Sequence, residues 1–190
     1  VALSAERDID KLLELILAKC RAVTASDAGS LYLVVRGEEE GSQADDALRF
    51  KLTQNDSVAA PFEEFTMPLN ESSIAGYAAL TGQVVNVADA YSLPPGSPFK
   101  ISRSFDEQSG YRTKSMLVVP MRDHVGSVIG VVQLINKKCD ARTVLRPLAL
   151  VETAVIPFTG VDEELVSSLA SQAAVAFENA KLIQDIKELF

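Results

Sequence analysis

The chain of 190 residues has no tryptophan, one histidine and two cysteines, and its 18 Lys and Arg are outnumbered by 26 Asp and Glu, for a formal net charge of -8. Each shortage excludes something. Phosphate binding needs clustered Lys and Arg, so the acidic balance argues against nucleic acid as a partner. Two cysteines, Cys20 and Cys139, cannot build a disulfide framework. Cys20 falls on the apolar face of a predicted helix, as a small core residue does, and a reducing cytoplasm is the expected setting. No apolar run approaches the roughly 20 residues that span a bilayer. The charged amphipathic start, Val1 to Lys11, predicts no signal peptide, and the missing initiator Met predicts a fragment of a longer protein.

Catalytic signals are equally sparse. The single histidine, His124, lies in a predicted turn, Asp123-His124-Val125-Gly126, with no Ser or Cys nucleophile beside it, which leaves a triad unsupported. There is no CxxC, no HExxH and no glycine-rich phosphate loop carrying a lysine. The carboxylates lie in loops and on helix faces, where they read as solvated charge. The expectation is a non-catalytic domain with no metal and no resident cofactor.

What is present is a chain that is 47% hydrophobic and 23% charged, enough for one compact domain over 1–190. The N-terminal segment 1–23 is predicted to be helical from about Ser4 to Val23, with Ser4 as the N-cap and Ile9, Leu12, Leu13, Ile16, Leu17 and Cys20 as the buried stripe. Asp27-Ala28-Gly29 reads as the break after it. Strands are predicted at Ser30–Val35, Ala47–Leu52 and Glu64–Leu69, with the acidic stretch Arg36–Asp46 as a loop. Ser72 is read as the cap of a short helix, Ile74–Thr81, ending at Gly82. A short strand follows at Val84–Val87, then a long loop, Ser92–Gly110, of the kind that is usually functional. Ser115–Met121 and Val128–Ile135 form a hairpin. Lys137–Pro157 stays ambiguous, with Thr143–Val151 a strand or a partial helix. A long helix over 162–190 closes the chain, with Thr159 as its N-cap and Asp162 three residues on. Several antiparallel strands flanked by helices make an α+β layer architecture.

The segments Ala28–Val34, Ser73–Tyr77, Thr81–Val87, Thr113–Met121 and Val128–Lys137, in this order and spacing, resemble the GAF domain over Asp8–Lys187. The resemblance implies a central antiparallel sheet of about six strands. Its terminal helices would cover one face, and loops and short helices on the other would enclose a ligand pocket. A narrower likeness is to the cyclic-nucleotide-binding GAF domains of phosphodiesterases and adenylate cyclases, which carry Asn-Lys, a variable gap, Phe, three residues and Asp-Glu. Here these are Asn136, Lys137, Phe158, Asp162 and Glu163, with about twenty residues in the gap. By that resemblance Lys137 and Asp162 form a salt bridge bracing the pocket. Ser30, Ile74, Ala75, Phe105, Asp106, Ser109, Thr113 and Gln133 become ligand contacts, and Ala75 offers a backbone amide to a phosphate. Leu52-Thr53-Gln54 lacks the aromatic that often stacks on the base, so stacking falls to Phe99 or Phe105.

Plainer readings stand beside these. Asn136-Lys137 could be a turn, Asp162-Glu163 simply favourable charge at a helix start, and Ser30 a partner for backbone groups. Gln133 says more, because a polar residue facing the interior costs roughly 1–3 kcal/mol if unsatisfied. In the last helix, Leu165, Leu169, Gln172, Ala176, Asn179, Ile183, Ile186 and Phe190 form a heptad seam, while Val166, Ala173, Phe177 and Ala180 form a second stripe for the domain's own sheet. The seam predicts a parallel homodimer through the terminal helices; one broad core face is the alternative. The resemblance thus implies a regulatory, ligand-binding sensor of a bacterial signalling protein, with cAMP or cGMP as ligand and an output domain beyond this segment. A dimerisation and relay module without a nucleotide is the other reading.

Overall fold

The computed structural model describes residues 2–37, 46–59 and 62–190. The elements run α1 (Ala2–Thr24), β1 (Ser26–Val35), β2 (Ala47–Asn55), β3 (Phe65–Pro68), α2 (Ile74–Thr81), β4 (Val85–Val87), α3 (Ser104–Ser109), β5 (Met116–Arg122), β6 (Val128–Lys138), α4 (Leu150–Ala154), β7 (Val155–Ile156) and α5 (Gly160–Leu189). The strands form one antiparallel sheet in the order β3-β2-β1-β6-β5-β4, with β7 paired to the end of β6. This is the expected α+β architecture, with seven strands among the described residues.

Side chains alternate across a strand, so the sheet has two chemically distinct faces. On one face Leu31, Leu117, Val119, Met121, Val132 and Leu134 pack against Leu13, Leu17 and Cys20 of α1 and Val166, Ala170, Ala173 and Ala174 of α5. Complete burial of such side chains stabilises the fold by about 1.5–3 kcal/mol for each large one. A Cβ on Gly29 would stand 2.9 Å from the Leu17 side chain, so glycine there lets α1 approach the sheet. On the other face α2 and the segment 85–101 cover β5 and β6 through Ile74, Ala75, Ala78, Val118 and Val131.

Several local expectations are corrected. The first helix is already running at Ala2, so Ser4 lies inside it and is not its cap. It ends with Ala25 in the left-handed region (φ 55°), and Asp27 lies within β1 instead of breaking the chain. The cap of α2 is Ser73, whose side chain accepts from the Gly76 amide, while the Ser72 hydroxyl turns to Asn70. The loop 92–110 contains α3. Strand β6 continues beyond Ile135 to Lys138. The ambiguous segment is a turn that returns as α4 and β7. At the other end Thr159 and Asp162 form the expected capping box. Asp46 clasps Arg36 at 2.9 Å and the Gly37 amide at 2.9 Å, pinching the ends of the acidic stretch, whose residues 38–45 lie outside the described ones. The Gly37 amide and the Arg36 guanidinium hold the Asp46 carboxyl below its ordinary range. No helix among the described residues is long and apolar enough to cross a membrane.

The seat of α2 depends on Gly76, where an added Cβ would fall 1.9 Å from the Asn70 carbonyl oxygen. Gly76→Ala is expected to cost about 1–3 kcal/mol through overpacking. This should read as a lower urea midpoint with an unchanged slope.

Candidate functional site

Between the second face and its cover lies a cavity of about 840 Å³. Its floor is set by strand register. Thr53 of β2 stands opposite Ser30 of β1, and Ser30 stands opposite Gln133 of β6, so three polar residues form one row across three strands. Ala28, Ile135 and Met116 lie to one side of the row, and Tyr32, Phe50 and Met67 to the other. A register shift between Leu31 and Tyr32 leaves Lys51 without a direct partner. That bulge changes the phase of β2, which is why Phe50 and Thr53, three residues apart, both reach the cavity. Tyr32 stacks on Phe50 at 4.9 Å, and Phe50 meets Phe62 and Phe65 edge-on at 5.0 and 5.1 Å.

The roof is the start of α2, with Ser73, Ile74 and Ala75, joined by the segment from Lys100 to α3. Phe105 lines the cavity from α3 and meets Tyr111 at 6.2 Å. Asp106 also borders the cavity, yet its carboxylate is fully engaged. It accepts from the Thr113 amide at 2.8 Å, the Thr113 hydroxyl at 2.9 Å and the Tyr91 hydroxyl. Its geometry is that of a latch holding α3 to the chain on either side. Tyr91 lies between the Arg103 and Arg112 guanidiniums at 3.8 and 3.9 Å, and burial, helped by Asp106, pushes its phenol up to about 12.

Of the eight sequence-predicted contacts, Ser30, Ile74, Ala75, Phe105, Asp106, Thr113 and Gln133 line the cavity. Ser109 does not. It sits in the last turn of α3 and donates back to the Phe105 carbonyl at 2.6 Å, a local bond that serine makes readily in helices. Phe99 is also misassigned, since it is buried under α2 beside Tyr77. Phe105, the other stacking candidate, does line the cavity, together with Tyr32, Phe50, Phe62, Phe65 and Tyr111. Tyr32 was legible, being two residues from Ser30 on the same strand, whereas the bulge hid Phe50. Neither Cys20, which is buried, nor Cys139, which is exposed, lines the cavity.

Behind the cavity, the end of β6 joins it to the terminal helices. Asn136 has a left-handed backbone (φ 59°) and is buried. Its amide donates to the Tyr111 hydroxyl at 3.0 Å and the Arg112 carbonyl at 2.8 Å, and it accepts from the Lys114 amide at 2.7 Å. The next residue turns the other way: Lys137 Nζ meets Asp162 at 2.9 Å and donates to the Thr24 carbonyl at 3.1 Å. One ammonium thus holds the C-terminal end of α1 and the first turn of α5. Lys138 then pairs at 3.0 Å with Asp27, which is buried and also accepts from Tyr111 at 2.7 Å and Ser57 at 2.8 Å. Burial and the Asp27 carboxylate push the Tyr111 phenol far above its ordinary range.

The gap in the Asn-Lys…Phe…Asp-Glu pattern closes because β7 pairs Ile156 with Lys137 and delivers the following residues to it. Phe158 is buried between sheet and helices, with its carbonyl accepting from Asn86 at 3.0 Å. Glu163 is half-buried in the first turn of α5, its amide donating to the Thr159 carbonyl at 3.1 Å. None of Asn136, Lys137, Phe158, Asp162 and Glu163 lines the cavity, and their route to it runs through Tyr111.

The arrangement matches known proteins. The family model described as GAF domain matches residues 8–177. The chain is 35% identical over 140 residues to a cGMP-specific 3',5'-cyclic phosphodiesterase of Drosophila sechellia, covering 70% of this chain and 11% of that protein. Among solved structures, the GAF-B domain of DevS from Mycobacterium smegmatis superposes with a TM-score of 0.59 at 18% identity, covering 94% of this chain and 98% of that one. The GAF domain/HD domain protein from Geobacter sulfurreducens gives 0.58 at 17% identity, covering 92% and 95%. The chain therefore spans about a tenth of the length of the curated relatives it matches.

Removing either member of the Lys137–Asp162 pair should leave a largely buried charge without its partner. Lys137→Met and Asp162→Asn are each expected to cost about 2–4 kcal/mol, somewhat below the figure for fully buried pairs. The double variant should fall short of their sum by about 1–3 kcal/mol in urea titrations.

Proposed function

The chain belongs to the GAF domain family, a family of regulatory sensor domains, and on that premise we propose that its cavity binds a cyclic nucleotide, cGMP or cAMP. The observation that carries this reading is the floor of the cavity. A row of hydrogen-bonding side chains, Thr53, Ser30 and Gln133, crosses an otherwise apolar surface that ends in an aromatic cluster. A purine needs that combination: an aromatic face to stack on and polar groups for its edge. A single negative charge is accommodated at the roof. Lys100 borders the cavity, and the Ala75 amide in the first turn of α2 has no acceptor within the helix. The cGMP-specific relative supports the same ligand class.

Binding closes α3 against the ligand, and Tyr111 and Asn136 carry the change to Lys137 and so to the ends of α1 and α5. In α5, Val166 and Ala173 are buried while Leu165, Ile183, Ile186 and Phe190 are exposed, which supports a helix with an outer face for a second copy of the chain. A parallel dimer through that face would pass the signal to an output domain.

A thermal-denaturation series with cGMP, cAMP and the corresponding 5'-monophosphates tests the ligand. A cyclic nucleotide at a hundred times its Kd should add about 2.7 kcal/mol of stability, and the monophosphates should fall short because they carry more charge. No concentration-dependent shift with either cyclic nucleotide would leave dimerisation and relay as the domain's role.

A further inference from the structure

We propose that Glu63 makes the cavity selective for guanine over adenine, by accepting the N1–H and N2–H groups of the base with the two oxygens of its carboxylate. This rests on the cyclic-nucleotide reading and narrows it from two ligands to one, cGMP. The five sequence segments that carry the likeness to other GAF domains do not include Glu63.

Alternation along the chain puts Glu63 on the cavity side. Glu63, Phe65 and Met67 line the cavity, whereas Glu64 and Thr66 do not. Glu64 turns the other way and meets Lys51 at 3.4 Å and Arg49 at 3.6 Å, and no such pair engages Glu63 among the described residues. Its neighbours fix where it stands. Phe62 and Phe65 both meet the Phe50 ring, at 5.0 and 5.1 Å, which pins the residue between them and Glu64 at the aromatic end of the cavity, where a purine stacks. The cation Lys100 is tied instead to the start of α2, through its amide and the Ser72 carbonyl at 2.9 Å.

Discrimination needs a group that cannot change its role. The Ser30 and Thr53 hydroxyls donate or accept by rotating, and the Gln108 and Gln133 amides exchange the two roles by flipping, so each can meet either purine. Asn55 is fixed, because its side-chain oxygen accepts from the Ser57 and Val58 amides at 2.8 and 2.9 Å. That leaves it a donor, and both purines offer acceptors. Asp106, the other carboxylate at the cavity among the described residues, is committed to Thr113 and Tyr91. The Glu63 carboxylate only accepts. Guanine presents N1–H and N2–H side by side, and two carboxylate oxygens meet them with parallel bonds, the strong bidentate arrangement. Adenine presents N6–H beside an unprotonated N1, whose lone pair would face the second oxygen.

The test is calorimetric titration of the 190-residue chain with cGMP, cAMP and cIMP. The unaltered protein should prefer cGMP to cAMP by about tenfold, in the lower part of the range for a bidentate base contact because Glu63 is exposed. cIMP keeps N1–H and O6 but lacks the N2 amine, and should bind several-fold more weakly than cGMP. Glu63→Gln keeps the length and gains a donor, so its amide can meet either base. In that variant the cGMP preference should fall toward unity and cIMP should match cGMP. Lys100→Gln should weaken all three nucleotides and leave their ratios unchanged. Equal affinity of the unaltered protein for cGMP and cAMP, a preference for cAMP, or a cGMP preference that survives Glu63→Gln would overturn the proposal, as would its loss in Lys100→Gln. Binding of none of the three by the unaltered protein would instead remove the ligand reading on which it stands.

Discussion

The structure turns on one backbone angle. A strand normally sends successive side chains to opposite faces. At Asn136 the left-handed conformation breaks that alternation. Ile135 borders the cavity and Asn136 reaches toward the same side through Tyr111, after which Lys137 is delivered to the ends of α1 and α5. Asparagine is among the few non-glycine residues that tolerate this region, and its side chain offsets the residual cost with hydrogen bonds to three neighbours. Without that break, Lys137 would point toward the cavity and the two terminal helices would lose their shared cation.

The buried charges around this junction explain why it is tightly specified. Asp27 and Lys138 are both removed from water, which is costly for an ion pair unless every remaining valence is used. Here most are: Asp27 receives Tyr111 and Ser57, and Lys138 also donates to the Thr143 carbonyl and has Asp56 at 3.8 Å. Such a cluster adds little net stability over an apolar one, but it admits few alternative geometries. It fixes the segment after β6 and the base of the lid relative to the first strand.

Most of the long elements were legible in the sequence, because their hydrophobic period and their terminal residues agree. Thr159 with Asp162 marked the start of α5, and Ile74–Thr81 ended where Gly82 required it. Lys137 and Asp162 also meet, as the family resemblance implies. What stayed hidden depends on contacts distant in the chain. The Asp27-Ala28-Gly29 stretch reads as a break, and it is drawn into β1 by backbone pairing with β6, more than a hundred residues away, which sets Ser26 opposite Lys137 and Ala28 opposite Ile135. The bulge at Lys51 defeats simple alternation and conceals Phe50. Ser109 was lost to a local bond with its own helix, which no pattern of residue types separates from a cavity-facing serine.

The central claim is that occupation of the cavity is felt at the helix ends through Asn136 and Lys137. Hydrogen–deuterium exchange with and without a saturating cyclic nucleotide tests it most directly. The account predicts slower exchange in α3 and its flanks and also at the close of α1 and the first turn of α5, with the distant effect lost in Lys137→Met while the lid effect remains. Slowing confined to the cavity walls, with both helix ends unchanged in the unaltered protein, would contradict it.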